Sequence, residues 1–273
     1  MNAKTPYSIV ASDLDGTLLA PNHQLSDYTK KTLKTLSEQG FTFIFATGRH
    51  HIDVAGIRQN VGIPAYMITS NGARVHDQND ELMYSNNVPS SLVQKVIDLA
   101  KDDDSLFIHL YRNEEWMLNK HDATLAKFHD ESGFSYQIFD TNSAPTEGIA
   151  KIFFTQTEND HEYLVTLEDK LNQLFGDELN VAFSTPWCLE VMAADVSKGE
   201  ALKVVAESLG KSLQDCIAFG DGMNDAEMLT MAGKGLVMAD AHIKVKQALP
   251  HNEIIGSNAD DAVARYLKEQ LLT

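Results

Sequence analysis

Acidic side chains stand directly after two short apolar runs of this sequence. Asp13 and Asp15 are two positions apart in the segment DLDGT at 13–17, and Asp221 and Asp225 lie in the segment GDGMND at 220–225. Each apolar run is typical of a buried strand, and parallel strands in an open α/β sheet present their carboxyl ends at one edge, where ligands bind. We therefore expect these four carboxylates to meet at a single site.

So many like charges in one place require a cation. Oxygen ligands without cysteine or histidine favour a hard divalent ion, and Mg²⁺ fits that ligand set best. The sequence also provides groups for an anion. Thr47 and Gly48 lie at a predicted strand-to-helix junction, where free N–H groups favour a phosphate, and Lys198 adds a positive charge at a helix start. Of the two carboxylates Asp13 and Asp15, one can attack phosphorus while the other handles the proton of the leaving group. This chemistry is Mg²⁺-dependent phosphoryl transfer through an aspartyl-phosphate.

Strands and helices alternate in the two terminal parts of the chain. Apolar strands are predicted at Tyr7–Ser12, Phe41–Ala46 and Ala65–Thr69, with helices between them, and the alternation resumes from a helix that begins at Ser197. This order predicts an α/β fold with a Rossmann-like, doubly wound parallel sheet.

The segment between these parts mixes helices and strands differently and reads as an inserted α+β domain. We place the core at 1–85 and 187–273 and the insertion at 86–186. Helices are predicted in the insertion at Ser90–Lys101, Asp122–Glu131 and Glu158–Phe175, and strands at Leu106–Tyr111, Trp116–Leu118, Ile149–Thr155 and Leu179–Ser184.

Composition narrows the possible partners. The 273 residues include 22 Lys+Arg and 39 Asp+Glu, a formal net charge of −17, and 43% are hydrophobic. An acidic globular chain of this kind excludes a basic surface for nucleic acid or anionic membranes. Only Cys188 and Cys216 occur, which excludes a disulfide framework, and we find no signal peptide or membrane-spanning run. We expect a soluble, cytoplasmic protein with no obligate protein partner.

The four segments DLDGT (13–17), TGR (47–49), Lys198 and GDGMND (220–225), in this order, resemble the four motifs of the haloacid dehalogenase superfamily. The insertion between the second and third motifs resembles the class IIB cap of the Cof-type phosphatases. The resemblance covers essentially the whole chain and is closest to phosphatases acting on pyridoxal 5′-phosphate and sugar phosphates.

The resemblance implies a role for each motif residue. Asp13 is then the nucleophile and a Mg²⁺ ligand, and Asp15 is the acid/base that also offers its backbone carbonyl to the metal. Asp221 is a further ligand, and Asp225 supports the metal, directly or through water. The groups that hold the phosphoryl group are the backbone of Leu14 together with Thr47, Gly48, Lys198 and Asn224.

Two other functions use similar residues. A phosphomutase forms the same aspartyl-phosphate but passes the phosphoryl group to a second hydroxyl. A phosphoryl-accepting regulatory module also combines Mg²⁺ carboxylates with a Thr and a Lys, but the acid/base at Asp15 and the large insertion argue against it. The expected substrate is a small phosphomonoester.

Overall fold

The computed structural model describes residues 6–122, 124, 125, 133–156, 158 and 160–272, and the chain divides into two compact units. The first unit comprises the described residues up to Gly48, Ala55–Tyr84 and the residues from Ser197 onward. The second unit comprises Arg49–Val54 and Ser85–Val196. The second unit is therefore mainly an insertion between two parts of the first.

The first unit is built on a sheet of eight strands among the described residues. Its strands in chain order are β1 (Ile9–Asp13), β2 (Thr42–Ala46), β3 (Ala65–Thr69), β4 (Arg74–His76), β5 (Leu82–Ser85), β12 (Cys216–Gly220), β13 (Lys234–Val237) and β14 (Glu253–Ile254), and β6–β11 belong to the second unit. The spatial order is β14-β13-β12-β1-β2-β3-β4-β5. All pairs from β14 to β3 are parallel, and β4 is antiparallel to β3. The predicted α/β fold with a parallel sheet is confirmed.

Strand β1 lies in the middle of this sheet. All five of its residues are buried, and β12 and β2 flank it in parallel, with Asp13 in register with Ala46. An apolar strand with neighbours on both sides and helices on its faces is the expected structure for such a run. The carboxyl ends of β1, β2, β3 and β12 consequently meet at one edge of the sheet.

Helices connect the strands of the first unit. The helices in chain order are α1 (Asp27–Glu38), α2 (His51–Val61), α5 (Lys198–Ser208), α6 (Ala226–Met231), α7 (Ile243–Ala248) and α8 (Ala262–Leu271), and α3 and α4 belong to the second unit. Helix α1 begins at Ser26, whose side chain accepts a hydrogen bond from the Thr29 N–H at 3.0 Å. Gly40, in the left-handed region at φ +91°, follows the end of α1, a position where glycine is favoured because it has no Cβ.

The second unit has a six-stranded sheet in the order β10-β11-β9-β6-β7-β8. Its strands are β6 (Leu106–Arg112), β7 (Glu115–Leu118), β8 (Tyr136–Ile138), β9 (Ile149–Gln156), β10 (Leu179–Thr185) and β11 (Cys188–Ala193), and its helices are α3 (Ser90–Asp98) and α4 (His161–Phe175). Alternate strand residues such as Ile108, Phe154 and Leu189 join the residues of α3 and α4 in one apolar core. On the other face of this sheet, Lys151 and Glu190 form a buried ion pair whose side-chain N and O atoms are 2.5 Å apart.

The structure differs from the sequence prediction in the extent of the second unit. The second unit ends at Val196 instead of at residue 186, because β11, which the sequence analysis did not predict, pairs with β10 and β9. Between β12 and α6 the chain forms a short 3₁₀ turn, Met223–Asp225. Most of the helix predicted at Asp122–Glu131 lies outside the described residues.

No helix in the described part of the chain combines the length and the apolar character needed to cross a membrane.

Ser26 joins the start of α1 to Asp261, the residue that precedes α8. The Ser26 hydroxyl donates to the Asp261 carboxylate at 2.5 Å in addition to capping the helix, and Thr29 donates to the same carboxylate oxygen at 3.0 Å. Ser26→Ala removes the cap and one bond to a charged acceptor. We expect it to lower the free energy of unfolding by about 1–2 kcal/mol in urea denaturation. The control is Ser37→Ala in the last turn of α1, where alanine has the higher helix propensity, and an equal loss there would contradict the assignment.

Candidate active site

The site begins where β1 ends. Asp13 is the last residue of β1, and its side chain is 6% exposed at the edge where the parallel strands end. The following segment, Leu14–Leu18, leaves the sheet in an irregular helical turn that is interrupted at Asp15 and Gly16. The buried Leu14 places its backbone at the start of this turn, next to Asp13. Asp13 and Asp15 therefore leave the chain in different directions, as two separate roles would require.

Gly16 is required at its position for two reasons. Its φ of +83° lies in the left-handed region, and a Cβ atom built on it would stand 2.4 Å from Oδ2 of Asp221. The next residue, Thr17, donates its hydroxyl to Oδ1 of Asp221 at 2.8 Å. The turn after β1 thus packs directly against the residue that follows β12, and the glycine permits the approach.

Lys198 connects the two acidic segments. It is the first residue of α5 and is fully buried. Its ammonium donates to Oδ1 of Asp13 at 2.6 Å and to Oδ1 of Asp225 at 2.7 Å. Burial lowers the pKa of Lys198, but the two carboxylates outweigh burial, and the pKa is raised above its usual value. Lys198 is therefore a permanent cation at the centre of the site.

The turn after β12 is organised by Asp225. Its Oδ2 accepts the backbone N–H groups of Asp221 and Gly222 at 3.0 and 2.9 Å, while its Oδ1 faces Lys198. The side chain is 1% exposed. Every oxygen of Asp225 is thus engaged within the protein, which makes it the group that fixes the turn. Asp221 is less buried and points toward the turn after β1 through its bond with Thr17.

The carboxylates outnumber the cation. Asp13, Asp221 and Asp225 each offer an oxygen within 4.8 Å of the others, against the one ammonium of Lys198. Burial raises the pKa of Asp13 well above its usual range despite the opposing effect of Lys198. Burial, followed by the charge of Asp225, raises the pKa of Asp221 to about 6. Three ionised carboxylates and one ammonium leave two negative charges to be compensated, which suits a divalent cation.

The surroundings of one carboxylate oxygen show whether the cluster suits a cation. Oδ2 of Asp13 is buried and has no hydrogen-bond partner in the described part of the structure. An unpaired buried carboxylate oxygen is costly, and a metal ion or a reacting phosphorus atom supplies the missing partner. The residues present therefore fit a metal such as Mg²⁺.

The remaining predicted phosphoryl-binding residues lie around a turn after β3. Thr47 is buried at the end of β2, and its carbonyl accepts the N–H of Asn71 at 3.0 Å. The Asn224 side chain donates to Oδ1 of Asn71 at 3.1 Å. Gly48 approaches the same side chain, since a Cβ built on it would stand 2.9 Å from that oxygen. The structure thus brings Thr47, Gly48 and Asn224 together through Asn71.

Asp15 stands apart from the three clustered carboxylates. Its side chain is 36% exposed, and its Oδ1 lies 3.1 Å from Nδ1 of His23. No role for His23 or Thr17 follows from the sequence, although Thr17 belongs to the DLDGT segment. Asn71 lies outside the four motif segments. The signal that could have found it is its position two residues after the predicted strand Ala65–Thr69, because Asp13, Thr47 and Asp221 follow strands in a similar way.

The sequence matches the family model of haloacid dehalogenase-like hydrolases over residues 10–267. A relative from Haemophilus influenzae, named "Putative phosphatase", is 46% identical over 267 residues, covering 97% of each chain. A relative from Cronobacter sakazakii, named HMP-PP phosphatase, is 38% identical over 261 residues, covering 96% of this chain and 94% of its own. The crystal structure of a haloacid dehalogenase-like hydrolase from Bacteroides thetaiotaomicron superposes with a TM-score of 0.83 at 26% identity, covering 96% of this chain and 99% of that one.

The chain belongs to the haloacid dehalogenase superfamily, whose fold it shares. Within that superfamily it is a phosphatase of the Cof type.

The contact between Gly16 and Asp221 gives a direct test of the site geometry. We expect Gly16→Ala to force Asp221 away from its position and to abolish turnover of p-nitrophenyl phosphate, measured as p-nitrophenol release. Gly40→Ala is the matched control, because Gly40 has a similar φ of +91° and no heavy atom within 4 Å of an added Cβ. Both variants share a backbone strain of about 1–2 kcal/mol, so only Gly16→Ala should lose activity. Equal activity in the two variants would show that the close approach is unimportant.

Proposed function

We propose that this protein is a Mg²⁺-dependent phosphatase that hydrolyses small phosphomonoesters through a phosphorylated Asp13. The observation that carries the proposal is the Asp13 carboxylate. One oxygen is held by Lys198 at 2.6 Å, and the other is buried without a hydrogen-bond partner in the described structure. A carboxylate oriented by one oxygen and unsatisfied at the other is suited to act as a nucleophile.

In the first step, a carboxylate oxygen of Asp13 attacks phosphorus, and the bond between phosphorus and the ester oxygen breaks. Asp15 donates its proton to the departing alkoxide, which leaves as the alcohol. The Lys198 ammonium, already bonded to Asp13, lies beside the attacking group and stabilises charge on the transferred phosphoryl oxygens. Thr47, the Gly48 N–H and Asn224 hold those oxygens, with the backbone of Leu14.

In the second step, Asp15 accepts a proton from water, and the water oxygen attacks phosphorus. The bond between phosphorus and Asp13 breaks, inorganic phosphate leaves, and Asp13 is regenerated as a carboxylate. The exposure of Asp15 supports this role, because a group that exchanges protons with water and with a leaving group must be accessible. Asp13 and Asp225, in contrast, are buried.

Asp13, Asp221 and Asp225, with the backbone carbonyl of Asp15, would hold the Mg²⁺ ion. When bound, the ion supplies positive charge that reduces the repulsion between the nucleophilic carboxylate and the phosphate dianion. Asp225 also has its Oδ2 engaged by two backbone N–H groups, which favours support of the ion through water over direct ligation.

Pyridoxal 5′-phosphate and sugar phosphates are the substrates that we propose first. The acidic insertion supports small substrates, because residues 86–186 carry 7 basic and 18 acidic side chains and repel polyanions. The relatives named HMP-PP phosphatase, at 38–39% identity, add HMP-PP to the candidates. We propose a cytoplasmic location for the reaction.

The deciding experiment is phosphate release from a panel that contains pyridoxal 5′-phosphate, hexose phosphates, HMP-PP and a mononucleotide, with and without Mg²⁺. We expect release from one or more small esters, at least a hundredfold slower after EDTA treatment and restored by Mg²⁺. Asp13→Asn should fold normally and release no phosphate. An isomeric sugar phosphate formed without free phosphate would instead indicate a phosphomutase, and wild-type rates in Asp13→Asn would contradict the nucleophile.

The role of Asp15 can be separated from that of Asp13. With p-nitrophenyl phosphate, whose leaving group departs without protonation, we expect Asp15→Asn to give a burst of about one p-nitrophenol per enzyme. Slow turnover follows, because the phosphorylated Asp13 lacks a base for its hydrolysis. Rapid-quench measurement with labelled substrate detects the phosphoenzyme. The control is Asp27→Asn, an exposed carboxylate in the first turn of α1, and steady turnover without a burst in Asp15→Asn would contradict the assignment.

A further inference from the structure

The turn after β3 has a backbone that is unusual for its sequence. Ser70, Asn71 and Gly72 have φ values of +49°, +58° and +108°, so three successive residues are in the left-handed region. Asparagine and glycine tolerate this conformation, but serine adopts it rarely, so the turn is strained. All three residues are buried. Strain of this kind persists where surrounding contacts determine the conformation, and those contacts indicate the purpose of the turn.

The contacts of the turn run to three separate segments of the chain. The N–H of Asn71 donates to the carbonyl of Thr47, which is followed by Gly48. Its side-chain Oδ1 accepts from Asn224, 153 positions away. Gly72 lies against the backbone of Ser197 and Lys198, where an added Cβ would stand 2.2 Å from the Ser197 carbonyl oxygen.

These segments carry the side chains and the amide that hold the phosphoryl group in the proposed function. We infer that Asn71 is a positioning residue of the phosphoryl site, and this inference rests on the proposed function. Asn71 fixes the amide of Asn224 by accepting one of its two N–H hydrogens. The same oxygen packs against Gly48, which sets the distance between the two phosphoryl-binding segments.

The side chain of Asn71 suits this task better than its alternatives. A short amide tolerates the left-handed backbone and accepts a hydrogen bond from Asn224 without adding charge. Aspartate would also accept the bond, but it would place another negative charge beside a dianionic phosphate. Glycine would preserve the backbone and remove the acceptor. These two substitutions therefore separate the hydrogen bond from the backbone conformation.

The test compares Asn71→Gly, Asn224→Ala and the double variant with the wild type, using p-nitrophenyl phosphate as substrate and inorganic phosphate as ligand with Mg²⁺ present. We expect Asn71→Gly to weaken phosphate binding about tenfold, as is typical when a hydrogen bond that orders a charged contact is lost. Because Asn71 acts through Asn224, the double variant should bind phosphate within twofold of Asn224→Ala alone. If the losses of phosphate affinity in the two single variants multiply in the double variant, the inference is overturned. Unchanged phosphate binding in Asn71→Gly would also overturn it.

The control is Ser70→Gly in the same turn. It keeps the left-handed backbone and removes a hydroxyl that is buried without a partner in the described part of the structure, so phosphate binding should not change. A thermal melt identifies any unfolded variant. If Asn71→Gly does not fold, Asn71→Asp replaces it and should weaken phosphate binding by charge repulsion, and unchanged binding there would equally overturn the inference.

Phosphate binding also separates this inference from the proposed function, because binding needs no turnover. A wild type that hydrolyses no phosphomonoester but loses phosphate affinity on Asn71→Gly would contradict the proposed function alone. A wild type that turns over normally, with unaltered phosphate inhibition in Asn71→Gly, would contradict the inference alone.

Discussion

The buried ammonium of Lys198 is the interaction on which the rest of the site depends. A lysine removed from water costs several kcal/mol unless anionic partners compensate it, and here Asp13 and Asp225 do so at 2.6 and 2.7 Å. These three residues come from the end of β1, the start of α5 and the turn after β12. The ion pairs therefore hold together segments that are far apart in sequence, and each segment must reach the position that the pairs require.

The positions of the neighbouring segments follow from this requirement. Ser197, the residue before Lys198, lies against the turn after β3. Gly72 permits that approach because it has no side chain. In the same way Gly16 permits the turn after β1 to approach Asp221. The fold thus places strained or side-chain-free residues where charged groups converge, which is a cost in stability that functional sites commonly carry. Burial of the converging groups is the main cause of the raised pKa values of Asp13 and Asp221, and the negative charge of Asp225 adds to it.

The sequence was sufficient for the parts of the molecule that local patterns determine. Apolar runs predicted the strands β1, β2 and β3, and the rule that parallel strands end at one edge placed Asp13, Thr47 and Asp221 together. Side-chain contacts that depend on how turns fold were not predictable. Asn71 accepts a hydrogen bond from Asn224, which lies 153 positions away in the chain. The contact between the side chains of His23 and Asp15 depends on a turn in which the exposed His23 has a positive φ. Strand β11 was not predicted, and its buried Glu190 is compensated by the ammonium of Lys151, a residue 39 positions away in the chain.

The location of the insertion explains how the site is kept intact. The main segment of the second unit enters after β5 and leaves just before Lys198, the first residue of α5, whereas the clustered carboxylates stand at the ends of β1 and β12 in the first unit. Residues from the two sides of the insertion meet through the pairing of β1 with β12. The hydrogen bonds that link Asp13, Lys198, Asp225, Asn71 and Asn224 each join two residues of the first unit. The hydrogen bonds that organise the carboxylates and their cation are therefore internal to the first unit, although the second unit separates its two parts in the sequence.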